Sequence, residues 1–353
     1  MTVQKKSVIP LLVAIAATVI IVAGLRAMSG LLSPILLSLF IVLITSPMMA
    51  WLKQRGLPAW LAYALVVLGV IVVGLCFILF LAVSLTQLSQ ELPTYTALID
   101  EKFADLEQWL AQYGVTAADI RALEWFQPEN IFQLLFSFVS ALLGTVGNVG
   151  FMLLVFIYML ASAPNFSTRL RRGLATDLPL LERFNDFAHS MGTYLLIKSW
   201  LGSVTALSQI ILMWVMGIDF AVLWGVFSFL FNFVPNVGFY LALIPPLLLA
   251  LLKFGLVKAA VFGVLYALIN NFFDIAIAPR FLGKGLDLST LVSFLAVVIW
   301  TWILGPIGAF MALPLTVMVK KLVLETFQDT QMIGGLLSSG GGETDEIEES
   351  APS

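Results

Sequence analysis

The residues of this chain that could do chemistry are few, and they lie where the sequence is most apolar. Asp274 sits in LINNFFDIAIAPR, inside a run long enough to cross a bilayer. A carboxylate at that depth costs roughly 2.5 to 3.5 kcal/mol even on a lenient insertion scale, so it is a functional candidate by default. Asn270 and Asn271 precede it by one turn. A carboxylate beside two amides can bind a cation, carry a proton or hydrogen-bond a polyol. The structural alternative is an ion pair with Arg280 near the membrane surface. A second group lies in FNFVPNVGFYLALIPP, from Phe231 to Pro246. Pro235 removes an amide donor, and Asn236 and Gly238 favour turns, so the segment cannot be one unbroken helix. Non-helical backbone within a membrane survives only where protein buries it or where it lines a wet cavity, as in the sites of secondary transporters. The expected site therefore takes hydrogen bonds from Asn232, Asn236, Asn270 and Asn271, with Asp274 coupling a proton or a cation.

The elements that must position these groups are short. Ala221 to Phe233 spans only about 13 residues, too few to cross as a helix at about 1.5 Å per residue. It is followed by Pro235, Asn236 and Gly238, then by Phe239 to Leu252. The arrangement recurs from Leu288 to Val319 around Gly305, Pro306 and Gly308. In each copy a proline follows the turn glycine by six or seven residues, Pro245 in the first and Pro314 in the second. This pattern predicts two broken or re-entrant hairpins related by a divergent internal repeat. The ordinary span between them, Val257 to Ala278, makes them enter from opposite sides and meet near the midplane.

The rest of the chain reads as a membrane bundle. Of its 353 residues 60% are hydrophobic and 11% charged, where soluble domains carry roughly 25% charged residues; mean hydropathy is +1.02. The expectation is an all-α polytopic membrane protein with about six full spans, the two hairpins and an amphipathic excursion. Residues 1–85 hold three spans. Residues 86–130 form an extracytoplasmic amphipathic helical hairpin, with eight acidic residues against two basic ones between Thr86 and Asn130. Residues 131–217 hold spans four and five, joined by a basic amphipathic helix that runs into the fifth span without a break. In the fourth, Gly144, Gly147 and Gly150 suggest close helix packing. Residues 218–325 are the transport core, and residues 326–353 an acidic, Gly/Ser-rich tail expected to be disordered. Basic flanks at Lys5, Lys6, Lys53, Arg55, Arg169, Arg171 and Arg172 place both termini in the cytoplasm, at the cost of leaving Lys253 and Lys258 outside. Asp219, at a span mouth, is read as a helix cap.

Several function classes drop out. One Cys and one His leave no disulfide framework and no Cys/His metal cluster, and no cofactor is expected. Cys76 reads as a core or lipid-facing residue and His189 as a surface one. There is no phosphate-binding Gly-x-x-x-x-Gly-Lys loop, so active transport must borrow an ion gradient or a partner. A net charge of -3 with scattered basic residues does not suggest nucleic acid. No nucleophile and base pair suggests an enzyme.

The segments FNFVPNVG with LIPP, APRFLGKGLDLSTL and ILGPIGAFMALPLTVMVKKLVLE resemble the autoinducer-2 exporter family, also called the PerM-like permeases, and its autoinducer-2 transport branch in particular. The resemblance covers most of the chain in hydropathy and order and is most specific from Met216 to Glu325. It implies a multi-pass carrier of the bacterial inner membrane that exports a small polar solute, with autoinducer-2 as named substrate. It also implies a homo-oligomer, a pentamer being one possibility. Family members have been linked to sodium/proton exchange too, which keeps an antiporter open beside the exporter, with an oligomeric pore or scaffold as a third reading. Carried over by position, the motif residues are Asn232, Pro235, Asn236, Gly238, Asn271, Asp274, Ser289, Gly305, Pro306 and Gly308. Pro245, Pro279, Gly283, Gly285 and Pro314 stand as gating or hinge positions. Other members often carry a glutamate near Asp274, so this chain reaches less far with the same group.

Overall fold

The computed structural model describes residues 9–111, 149–173, 178–282 and 288–321. Every regular element among them is helical, as the long apolar runs require, since a helix satisfies its own backbone groups in lipid. The order is α1 (Ile9–Ala27), α2 (Ser29–Gln54), α3 (Ala59–Ala111), α4 (Val149–Gly173), α5 (Leu178–Met216), α6 (Ala221–Phe231), α7 (Gly238–Phe254), α8 (Leu256–Asn271), α9 (Ala278–Leu282), α10 (Thr290–Leu304), α11 (Pro306–Phe310) and α12 (Ala312–Val319). A wide π turn, Phe272–Ile277, joins α8 to α9. Among the described residues four helices are long and apolar enough to cross a membrane: Ser29–Gln54, Ala59–Tyr95, Asp186–Met216 and Leu256–Phe281. Their outward faces are apolar, with Val73, Val215 and Val257 among the most exposed residues. Such faces suit lipid. The chain is an all-α polytopic membrane protein.

Two elements run further than single spans. Beyond the third span α3 continues through Pro93 to Ala111 as one helix. The second half of the expected extracytoplasmic hairpin lies outside the described residues. The basic amphipathic segment and the fifth span likewise form one helix, α5. Of the glycine repeat in the fourth span only Gly150 is among the described residues. A Cβ on Gly150 would meet nothing within 4 Å, so this glycine makes no close approach, and Gly144 and Gly147 lie outside the described residues. The tight contact is elsewhere: Gly225 of α6 lies against Ile210 of α5, where a Cβ would come within 2.2 Å.

Both late hairpins fold back on themselves. With 11 and 17 residues, α6 and α7 reach only about 17 and 25 Å at 1.5 Å per residue, and they pack side by side. Their ends away from the turn meet where Lys253 Nζ donates to Asp219 Oδ1 and Oδ2 at 2.8 and 2.9 Å. Tyr95 of α3 donates to the same carboxylate at 2.9 Å. Asp219 is therefore an ion-pair partner and not the expected cap; the α6 N-cap is Phe220, held at φ 58° with no side-chain cap bond. Lys258 rests its ammonium 3.6 Å from the Phe254 ring centre, so both cations that seemed misplaced have partners at this end. In the second hairpin Trp300 Nε1 donates to Thr316 Oγ1 at 3.0 Å, tying α10 to α12. Ser289 caps α10 by accepting from Val292 N–H at 3.3 Å.

The two turns share a construction. A Cβ on Gly238 would sit 1.9 Å from the Phe231 carbonyl oxygen, and one on Gly308 would sit 1.8 Å from that of Trp300. Each turn also carries one left-handed residue, Asn236 at φ 62° and Gly305 at φ 71°. The turns meet through aromatic rings: Phe233 stacks on Phe310 with centroids 4.5 Å apart, and Phe40 of α2 packs edge-on to both.

Candidate functional site

The site is built on α5, the first hairpin and α8. Pro235 has no amide donor, so α6 ends at Phe231 and the chain turns through Asn232, Val234, Pro235 and Asn236 before α7 starts at Gly238. Asn270, at the end of α8, and Asp274 are four residues apart on one continuous helical run, and their side chains meet. Asp274 lies in the π turn. Pro279 lies just beyond that turn, where its ring presses on the carbonyl four residues back and supplies no hydrogen to it. A wider turn relieves that contact, and such turns are frequent at functional sites.

These elements enclose a cavity of about 300 Å³, within the range of small-molecule sites. The turn contributes Asn232, Pro235, Asn236 and Gly238; α8 contributes Asn270 and Asp274; Lys198 comes from α5 and Ser228 from α6. Phe231, Phe239 and Ala242 supply apolar wall. The two carboxylate oxygens of Asp274 are engaged separately. Asn270 Nδ2 donates to Oδ2 at 2.9 Å, and Lys198 Nζ lies 3.5 Å from Oδ1. The ion-pair partner is thus Lys198 rather than Arg280. The lysine side chain is 17% exposed and the aspartate 43%, so the pair stands at the rim of the cavity with the lysine on its drier side.

Six of the sequence-derived site residues come together here: Asn232, Pro235, Asn236, Gly238, Asn270 and Asp274. Asn271 is exposed beside them and does not line the cavity. Gly305, Pro306 and Gly308 do not line it either; their turn reaches the first through the Phe233 and Phe310 rings. Of the hinge positions, Pro245 is buried in α7, Pro314 is buried in the first turn of α12 and Pro279 is exposed on α9; Gly283 and Gly285 lie outside the described residues. Lys198, Ser228 and Gly202 complete the site and were not singled out from sequence. A Cβ on Gly202 would come within 2.5 Å of Asn232 Nδ2, so this glycine leaves the room that Asn232 occupies. The signal for Lys198 and Gly202 was their spacing of four on α5, which puts both on the face that meets the turn.

Residues 13–328 match the profile described as AI-2E family transporter. The chain belongs to the AI-2E transporter family. Among similar proteins, the AI-2 transport protein TqsA of Escherichia coli (strain K12) is 29% identical over 320 residues, covering 91% of this chain and 93% of the relative. A Haemophilus influenzae protein designated for transport is 33% identical over 338 residues, with 92% and 95% covered. YhhT of Escherichia coli, also designated for transport, is 26% identical over 330 residues, with 94% of each covered. The match to this AI-2E family transporter runs from within α1 to beyond α12, so the cavity, the broken turns and the Lys198–Asp274 pair all fall within the family region.

Proposed function

We propose that this chain is a secondary carrier that exports a small polar solute, with autoinducer-2 as the leading candidate, across the bacterial inner membrane by an ion-driven alternating-access cycle. The observation that carries the reading is the cavity where a broken helical turn faces Asp274, whose two oxygens are held by Lys198 and Asn270. The amides of Asn232, Asn236 and Asn270 give the solute donors and acceptors. The Lys198–Asp274 pair gives the cycle its coupling. While Asp274 is charged it attracts Lys198 and ties α8 to α5. A proton on Asp274 removes that attraction and frees the two helices to shift. Lys198 also weighs against sodium or lithium as the coupling ion, because its ammonium already balances the carboxylate a metal cation would need. In this scheme the termini are cytoplasmic, the first hairpin enters from the outer side, and copies of the chain assemble as a homo-oligomer, with a pentamer as one arrangement.

The test is flux in proteoliposomes. Wild-type protein should move autoinducer-2 with saturating kinetics and respond to an imposed proton gradient. Asp274→Asn should assemble normally and lose at least tenfold of that response. Unchanged coupling in the variant would remove Asp274 from the mechanism. Exchange with sodium alone and no organic solute would favour the antiporter, and non-saturating flux a pore.

A further inference from the structure

The cavity does not exhaust the polar groups on these three elements. On α8, Tyr266 precedes Asn270 and Asp274 at successive intervals of four, so the three side chains form one stripe. On α5, Lys198, Gly202, Thr205 and Gln209 form a second stripe. Between them, Ser228 and Asn232 are four apart at the end of α6. The stripes run side by side from the Lys198–Asp274 pair at the rim to Gln209 and Tyr266 in the interior. Both of those interior residues are fully buried, and Thr205 and Ser228 nearly so.

The deep end is rich in donors. Ser228, which lines the cavity, donates its hydroxyl hydrogen to Gln209 Oε1. That bond occupies the acceptor of the Gln209 amide and orients the amide, leaving Nε2 with no hydrogen-bond partner. The Tyr266 hydroxyl lies within reach of the Ser228 hydroxyl, but makes no well-aligned hydrogen bond to it or to any other group. Leaving a buried donor unsatisfied is costly, and native interiors rarely do so twice in one place. A pair of donors with its neighbouring acceptor already occupied suits an oxygen atom that accepts. It does not suit a metal cation.

We propose that Gln209, Ser228 and Tyr266 form a second, inner station for the solute, which receives one of its hydroxyl or carbonyl oxygens after the solute leaves the rim of the cavity. This proposal rests on the carrier reading above and adds to it the order of the stations and the chemistry of the inner one. Beyond that station Phe227, Phe262 and Met213 are buried and pack in the same apolar core as Trp224, whose indole N–H also lacks a hydrogen-bond partner, between the track and the Asp219–Lys253 pair. The inner station therefore stands where the polar stripes give way to that core.

The experiment measures binding of autoinducer-2, erythritol and ribitol to the purified full-length protein by equilibrium dialysis, with melting temperature measured in parallel. The proteins are wild type, Gln209→Leu, Tyr266→Phe and the rim variant Asn270→Ala. Gln209→Leu and Tyr266→Phe should each weaken binding of whichever solute the wild type binds by about tenfold. The solute-free melting temperature of Tyr266→Phe should be unchanged or higher, because an unsatisfied donor has been removed, whereas that of Gln209→Leu should fall by a few degrees, because the Ser228 hydroxyl loses its acceptor. If both variants bind as tightly as wild type while Asn270→Ala does not, the inner station is wrong and the cavity reading stands. Binding of none of the three solutes to wild type contradicts the carrier reading and the inner station together.

Discussion

At the scale of single residues, the contact between Lys198 and Asp274 decides more than either residue does alone. With Asp274 43% exposed and Lys198 17%, the pair is partly solvated, so removing the carboxylate's charge costs far less than breaking a fully buried pair. Such a pair suits a switch, because a proton does chemically what the mutation does permanently. Glycines set the shape around it. Gly202 faces the amide of Asn232, the movable end of a side chain, whereas Gly238 faces the Phe231 carbonyl, which is fixed backbone. Gly202→Ala should therefore keep the melting temperature within a few degrees and weaken solute binding several-fold by displacing Asn232. Gly238→Ala should destabilise the fold by about 1–3 kcal/mol or more, as overpacking does. Melting curves and equilibrium dialysis on the two variants check the contrast, and equal effects on stability would contradict it.

At the scale of elements, the hairpins fold back and meet through the Phe233 and Phe310 rings. Cysteines in place of these two residues, in a Cys76→Ser background, should cross-link under mild oxidation to a single intramolecular species on a gel. Absence of the cross-link would separate the tips. The two hairpins were legible in the sequence because prolines, glycines and asparagines interrupt otherwise apolar runs, and those residue types act locally. Asp274 with Asn270 was legible for the same reason, at a spacing of four. Lys198 was not: it lies 76 positions from Asp274 in the chain, and a lysine at a span boundary reads first as a topology signal. The second turn shares the first one's glycine contact and left-handed residue, so pattern alone placed Gly305, Pro306 and Gly308 in the site. Packing decided otherwise, since Phe310 directs an aromatic ring, and no polar group, at the first turn. Asp219 followed a similar course, with its local role as a cap displaced by Lys253, a partner 34 positions away.

At the scale of the whole molecule, charge and shape divide the transport core into two ends. The Asp219–Lys253–Tyr95 cluster closes the end of the first hairpin away from its turn, and the Lys198–Asp274 pair stands at the rim of the cavity near that turn. Asp274 lies 18 residues beyond the start of a helical run that ends at Leu282, or about 27 Å along it at 1.5 Å per residue. Asp274 therefore lies toward the far end of that run, the cytoplasmic end in the proposed topology. An apolar core packs beyond the cavity toward the other end. In the proposed cycle this arrangement exposes the site on one side only. The most direct measurement replaces Asn270 by cysteine in the Cys76→Ser background and follows its reaction with a membrane-impermeant thiol reagent, applied to right-side-out or inside-out vesicles with and without autoinducer-2. The account predicts labelling from the cytoplasmic side alone, slowed several-fold by the solute. Equal labelling from both sides, unaffected by the solute, would contradict it.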